Sequence, residues 1–229
     1  MPYISIVIPA HNEENYIRQT LHSIHNQTYQ DYEVIVVTNG CTDATEEIVR
    51  RRENDKLKLL SLPIANVSRA RNYGAGKAQG ELLLFLDADT RLEQDSLQKI
   101  KDQFLSSHAI ATTKAKPDSP ELKYTWALWF KNMYLRTKLY EGCSGALICR
   151  REDFDKVNGY DPEIIVKEHR KLIIKLKKAG KYKCLDTTVT TSMRRFQRWG
   201  LLKTTGFWLG QWVKDYVGDL KKSKYEKIR

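Results

Sequence analysis

The chain has 229 residues, 41% of them hydrophobic, and a formal net charge of +11. That length supports one sizeable domain with a real core, or one domain plus a tail, and the apolar fraction excludes wholesale disorder. The basic excess favours anionic partners: an acidic membrane surface, phosphorylated substrates or nucleic acid.

In chain order, "YISIVIP" (residues 3–9) is a short β-rich run stopped by Pro9 and predicts a buried strand. Ile17, Leu21 and Ile24 follow at helical spacing. "YEVIVVT" (32–38) is a second buried strand. "TDATEEIVRRR" (42–52) opens on a Thr/Asp cap with an acidic first turn, so a second helix is expected. "LKLLSL" (57–62) is a third strand, "VSRARNYGAGKAQG" (67–80) a helix closed by Gly80, and "ELLLFLD" (81–87) a fourth strand. Strands and helices that alternate, with continuously apolar strands, predict an α/β fold with a parallel sheet covered on both faces. Ligands bind such sheets at the carboxyl ends of the strands.

The fourth strand ends there in Asp87-Ala88-Asp89. Two carboxylates at alternate positions offer hard oxygen ligands to Mg²⁺ or Mn²⁺, which bind through one or two carboxylates plus substrate phosphates. Such an ion neutralises charge on a departing diphosphate. The plainer alternative is that Asp89 caps a helix beginning near Leu92. The neighbouring "NYGAGKAQG" lacks the spacing of a phosphate-cradling loop, and its glycines read as close helix packing.

After about Ser107 the alternation breaks down. "LKYTWALWFKNMYLRTKLY" (122–140) is aromatic and helical, and "CSGALICR" (143–150) a strand with small residues at its start. "REDFDKVNGYDPEI" (151–164) is a helix followed by a loop, "KEHRKLIIKLKKAGK" (167–181) a helix closed by Gly180, and "YKCLDTTVTTS" (182–192) a strand. No repeat or low-complexity linker divides the chain, so this half is expected to complete the same sheet. Cys41, Cys143, Cys149 and Cys184 show no metal-ligand spacing and read as reduced intracellular thiols. His22, His25 and His108 lack partners at metal spacing, and His11 is either a loop residue or one that faces the ligand. The start "MPYISIVIPA" does not resemble a signal peptide, and no apolar run approaches bilayer-spanning length. The expectation is a cytoplasmic protein, soluble or peripheral on the inner face of the cell membrane.

Four blocks, "SIVIPAHNEE", "VIVVTNGCTDAT", "SRARNYGAGKAQGELLLFLDADT" and "CSGALICRREDFDKVNGYDPEIIVKEHRKLIIKLKKAG", together resemble the family 2 glycosyltransferases with the GT-A nucleotide-sugar-binding fold. The resemblance covers roughly residues 3–190 and implies a three-layer fold on a mostly parallel sheet. It implies that Pro9, Ala10, Asn12 and Glu13 line the nucleotide, that Thr38 and Asn39 lie near base and ribose, and that Arg71 approaches base or diphosphate. Asp87 and Asp89 would hold ribose and metal, Ala88 between them would touch the nucleotide sugar, and Ser144 and Gly145 would border the acceptor. "KEHRKLIIKL" matches the family's "E-D-x-x-L-x-x-R-L" helix, whose acid pair supplies the catalytic base. There are two departures. Thr38 and Asn39 replace two aspartates, and His169 stands at the second acid. Either Glu168 is the base and His169 helps hold metal or diphosphate, or His169 takes the proton itself. The plain alternative puts both on a solvated face of a Lys-rich helix.

The implied reaction is inverting transfer of a sugar from a nucleotide-diphosphate donor to an acceptor hydroxyl on a glycan or lipid-linked molecule, assisted by Mn²⁺ or Mg²⁺. A nucleotidyltransferase and a non-catalytic basic membrane-surface binder are the rivals. Nucleic acid is not expected.

Residues 1–191 read as the catalytic domain, with a nucleotide-binding half (1–106) and an acceptor half (107–191), and residues 192–229 as a tail. Seven of the eleven net positive charges lie in that tail, ten basic residues against three acidic. Trp208, Leu209, Trp212, Val213, Tyr216, Val217 and Leu220 form an apolar helical stripe. The stripe either packs on the main core or lies in the plane of an anionic membrane.

Overall fold

The computed structural model describes residues 2–137, 142–164 and 166–217. Four parallel strands form one half of the sheet: buried β1 (Ile4–Ala10), β2 (Tyr32–Asn39) and β4 (Leu82–Leu86), with β3 (Leu57–Leu62) at the partly exposed edge. Between them run α1 (Ile17–His25), α2 (Thr45–Arg50) and α3 (Val67–Ala75). The rest comprises β5 (Thr90–Leu92), α4 (Ser96–Gln103), β6 (His108–Pro117), α5 (Leu122–Arg136), β7 (Ala146–Arg150), α6 (Arg151–Lys156), α7 (Glu168–Leu176), β8 (Lys181–Thr191) and α8 (Arg194–Val217). The eight strands among the described residues belong to one sheet in the order β3-β2-β1-β4-β7-β6-β8-β5. The second half therefore completes the first half's sheet. Antiparallel β7 joins it through the pairs Leu82↔Arg150 to Leu86↔Ala146.

Every residue of β1, β2 and β4 is buried because helices cover both faces. Alternation along β1 and β4 sends Ile4, Ile6, Ile8, Leu82, Leu84 and Leu86 to the face packed by α1, α2, α4 and α5. Val7, Leu83 and Phe85 go to the face packed by α3, α6 and α7. This is a three-layer α/β fold with a mixed sheet.

The structure departs from expectation in three places. The helix anticipated near Leu92 begins at Ser96, and residues 90–92 instead pair with β8. The β6 strand was not foreseen, because "HAIATTKAKP" is too polar to read as core; Thr112 is buried by donating to the Ala146 carbonyl at 2.9 Å. The α3 helix stops at Ala75 rather than reaching Gly80. A Cβ on Gly74 would meet Val7 Cγ1 at 2.5 Å, and one on Gly80 the Ser5 backbone nitrogen at 2.7 Å, so both glycines permit close approach to β1. Gly76 has no such contact.

Gly200 breaks α8 with φ 78°, ψ 166°, so the helix turns a corner after its first turn and a half. Of the tail stripe, the side chains of Trp212, Tyr216 and Val217 and the whole of Leu220 lie outside the described residues.

Candidate active site

The order of strands along the sheet switches between β1 and β4, which are parallel to each other, so their carboxyl ends and that of β2 lie at one edge of the sheet, the position where α/β sheets form a ligand crevice. Asp87 follows β4 directly, and its backbone N–H donates to the Gly145 carbonyl at 2.9 Å. Gly145 holds φ 85°, and a Cβ there would lie 2.5 Å from Thr90 Oγ1. Ser144 and Gly145 thus abut the Asp87–Thr90 turn. The Ala88 carbonyl accepts from Thr20 Oγ1 at 2.8 Å, which fixes the turn against α1.

Arg71 links the two ends of the site. It is 3% exposed and donates to Asp87 Oδ1 at 2.8 Å and to Glu168 Oε1 at 2.6 Å. Its guanidinium lies over the Tyr160 ring, 5.3 Å from the centroid. Tyr160 is itself seated by Asn72, whose side chain accepts from the Tyr160 N–H and donates to its carbonyl. Two carboxylates saturate the face of Arg71 that meets them, so the residue acts as a strut that aligns Glu168 with Asp87. Glu168 begins α7 after Lys167, which holds a left-handed φ of 59°.

His169 stands beside Glu168, its Nε2 3.7 Å from Glu168 Oε1, while Nδ1 is 2.9 Å from the Tyr160 hydroxyl. Burial, with the cations of Arg71 and Lys131 nearby, pushes its pKa well below the usual histidine value, so the ring is neutral. Its partners are Glu168 and Tyr160, and it does not join Asp87 and Asp89 in a group of three metal-capable side chains among the described residues.

Asp89 meets a second cation, Arg194, which sequence reasoning placed in the tail. Arg194 Nη2 is 3.0 Å from Asp89 Oδ2, and the same guanidinium forks onto Glu13 at 2.7 and 2.8 Å. Burial pushes the Asp89 carboxyl up to about 7; Arg194 pulls against that rise, while Asp87 and Glu13 add to it. Only the basic run "RR" hinted at Arg194, and nothing local tells its two arginines apart.

The residues expected along the nucleotide sit at the ends of β1 and β2, mostly bonded within the protein. Pro9 and Ala10 are buried in β1. The Asn39 side chain donates to the Ala10 carbonyl at 2.8 Å and accepts from the Asn66 N–H at 3.0 Å. Thr38 donates to Glu46 and to the Leu60 carbonyl. Asn12, at φ 54°, bonds Thr42, and His11 Nδ1 lies 2.7 Å from the Asn39 carbonyl. These contacts stitch the two loops into the floor of the crevice.

Asp87 and Asp89 are hard-oxygen donors whose crowded negative charge favours a cation, so their chemistry fits Mg²⁺ or Mn²⁺. Among the described residues no three metal-capable side chains lie close enough to form a complete protein cage. Two carboxylates are the number that Mg²⁺ sites completed by substrate phosphates and water commonly use.

The family profile described as "Glycosyl transferase family 2" matches residues 5–197. Among curated proteins, an "Uncharacterized glycosyltransferase" of Haemophilus influenzae is 37% identical over 115 residues, 49% of this chain and 46% of that protein. "Glycosyltransferase GlyA" of Streptococcus pneumoniae is 34% identical over 108 residues, 46% of this chain and 16% of that protein. The matched segments span less than half the length of these relatives. Among solved structures, S. aureus TarS 1-349 in complex with UDP-GlcNAc superposes with a TM-score of 0.67 at 20% identity, covering 84% of this chain and 59% of that one. Mannosyltransferase PcManGT from Pyrobaculum calidifontis, in complex with GDP-Man and Mn²⁺, gives 0.65 at 20% identity, covering 82% and 56%. At such identities the likeness establishes the GT-A fold.

Proposed function

The chain belongs to glycosyl transferase family 2, and on that premise we propose that it moves a sugar from a nucleotide-diphosphate donor to an acceptor hydroxyl. The observation that carries the reading is the Arg71 strut, which sets Glu168 opposite the Asp87–Asp89 turn at the carboxyl ends of the central strands.

In this reading the loops after β1 and β2, with Pro9, Ala10, Asn12, Glu13, Thr38 and Asn39, form the donor's floor, and Ser144 and Gly145 border the acceptor. Asp87 and Asp89 would hold Mn²⁺ or Mg²⁺, which supplies positive charge for the leaving diphosphate. Glu168 takes the acceptor proton, and the acceptor oxygen forms its bond to the anomeric carbon as the bond to the diphosphate breaks. A single base opposite the leaving group inverts that carbon. His169, neutral and fixed by Tyr160, positions Glu168 rather than binding the ion. Residues 1–191 make the catalytic unit. The basic segment 192–229 faces an anionic membrane surface, and a glycan or lipid-linked molecule supplies the hydroxyl.

The test is a thermal-shift screen of UDP-, GDP- and dTDP-sugars with and without Mn²⁺. One donor class raises the melting temperature, more so with the ion, because ligand bound only to the folded state stabilises it. No shift with any donor rejects the reading.

A further inference from the structure

Exposed apolar side chains concentrate on two helices. Of thirteen large hydrophobic residues exposed among the described residues, six lie on α5 and four on α8. On α5 these are Leu122, Trp126, Trp129, Phe130, Met133 and Tyr134, and their spacing of three and four residues makes an outward stripe. Trp126 is 58% exposed and Phe130 60%. The opposite face of α5 buries Tyr124, Leu128 and Leu135 in ordinary fashion. The helix is thus apolar on both sides, whereas a helix facing only water would be polar on one. On α8 the pattern is inverted: Thr204 and Gln211 are buried while Leu202, Leu209 and Val213 face outward, Leu202 at 89% exposed.

The first segment of α8, before the Gly200 corner, meets the buried side of α5, where Phe196 packs against Tyr124 with ring centroids 6.0 Å apart; the exposed residues of α8 follow that corner. The charge of the two helices is mainly basic. Arg136, Arg195, Arg198 and Lys203 lie on these helices; the acids at their margins are Glu121, which pairs with Lys123 at the start of α5, and Asp215 near the end of α8. Arg195 and Lys203 lie over the Trp199 ring. Both helices also reach the catalytic crevice: α8 starts with Arg194 on Asp89, and Lys131 of α5 feels the charge of Asp87. No helix among the described residues is long and apolar enough to cross a membrane.

We infer that α5 and α8 together form one lipid-docking face that lies in the plane of an anionic membrane and holds the crevice at its surface. Exposed Trp and Phe beside lysine and arginine, with basic residues in excess of acids, match the interfacial layer of a bilayer carrying negative headgroups. Such a patch in water is a liability unless something covers it, and the basic excess makes an anionic cover the favourable one. The tail alone is half of the device; α5 is the other half. That the face serves to meet an acceptor hydroxyl borne on a lipid rests on the sugar-transfer reading; the docking does not.

The test uses the full chain and vesicles of phosphatidylcholine alone or with about one-third phosphatidylglycerol. All five tryptophans lie in α5 and α8, so their emission reports on these helices and no others. Expected are flotation with the anionic vesicles only, a blue shift of the emission, and at least about a tenfold weaker partition for Trp126→Ser/Trp129→Ser/Phe130→Ser. Those side chains are exposed, so circular dichroism and the donor-induced melting shift of the variant stay at parental values. Parental partition by the variant, or no binding of the parent to anionic vesicles, overturns the inference. So does a parental dimer in sedimentation equilibrium that the triple variant abolishes, which assigns the face to a second copy. Vesicle binding without any donor-induced melting shift supports the docking face while rejecting sugar transfer.

Discussion

Arg194 grips Glu13 with both terminal nitrogens, at 2.7 and 2.8 Å, across a sequence separation of 181 residues. The same guanidinium holds Asp89, so one cation from the start of α8 ties the loop after β1 to the turn after β4. The basic segment is therefore joined to the crevice at its first residues.

That junction sets the first prediction. Arg194→Met leaves Glu13 and Asp89 facing each other in a mostly buried site without their cation. Losing one partner of a buried pair costs about 3–5 kcal/mol. The urea midpoint should fall accordingly, and Glu13→Gln in the same chain should restore about half of the loss, since the two sites are coupled. A single variant with the parental midpoint would show that the pair contributes nothing to stability.

Asp89→Asn tests the cation seat. The amide keeps the shape of the turn but loses the charge, so metal-dependent turnover should drop by at least about 100-fold while the circular dichroism spectrum is unchanged. Binding of Mn²⁺ in the presence of the donor, followed by the paramagnetic resonance of the free ion, should weaken in parallel. Near-normal turnover and ion binding would remove Asp89 from the seat.

Glu168→Gln and His169→Gln separate the two candidate bases. With Glu168 as the base, its variant loses about 10²–10⁴ in kcat with little change in donor affinity. His169→Gln, which removes only a positioning group, loses about tenfold or less. The reverse ranking would move the proton to the imidazole.

His169 also predicts a pH dependence. Its folded-state pKa lies well below the ordinary value of about 6.5, so the unfolded chain binds its proton first on acidification. The neutral ring thus contributes stability above about pH 6.5 that is lost as the pH falls below it. Between pH 7.5 and pH 5 this amounts to at most about 2 kcal/mol. Urea unfolding at the two pH values should show a smaller loss in His169→Gln than in the parent. Equal losses would mean that the imidazole accepts its proton in the fold.

Gly145→Ala probes the backbone beside Asp87. Its φ of 85° and the 2.5 Å approach of a new Cβ to Thr90 Oγ1 together cost about 1–3 kcal/mol. The melting temperature should fall, and an unchanged value would show that the turn can relax.

The sequence by itself determined the β1–β4 half of the sheet and the position of Asp87 and Asp89 at a strand end. Continuous apolar runs and Asp-x-Asp spacing are local patterns, and burial on both sheet faces enforces them. It also marked Glu168 and His169, through the block they share with a family. The polar strand β6 was not legible, because its burial depends on neighbours supplied by β7 and β8. Tertiary structure alone decided the partners: Arg71 between Asp87 and Glu168, 16 and 97 residues away, and Arg194 on Glu13 and Asp89. Periodicity reports which face of an element is buried. Which charge neutralises which depends on distances of a few ångströms between segments far apart in the chain, and those distances exist only once the sheet is assembled.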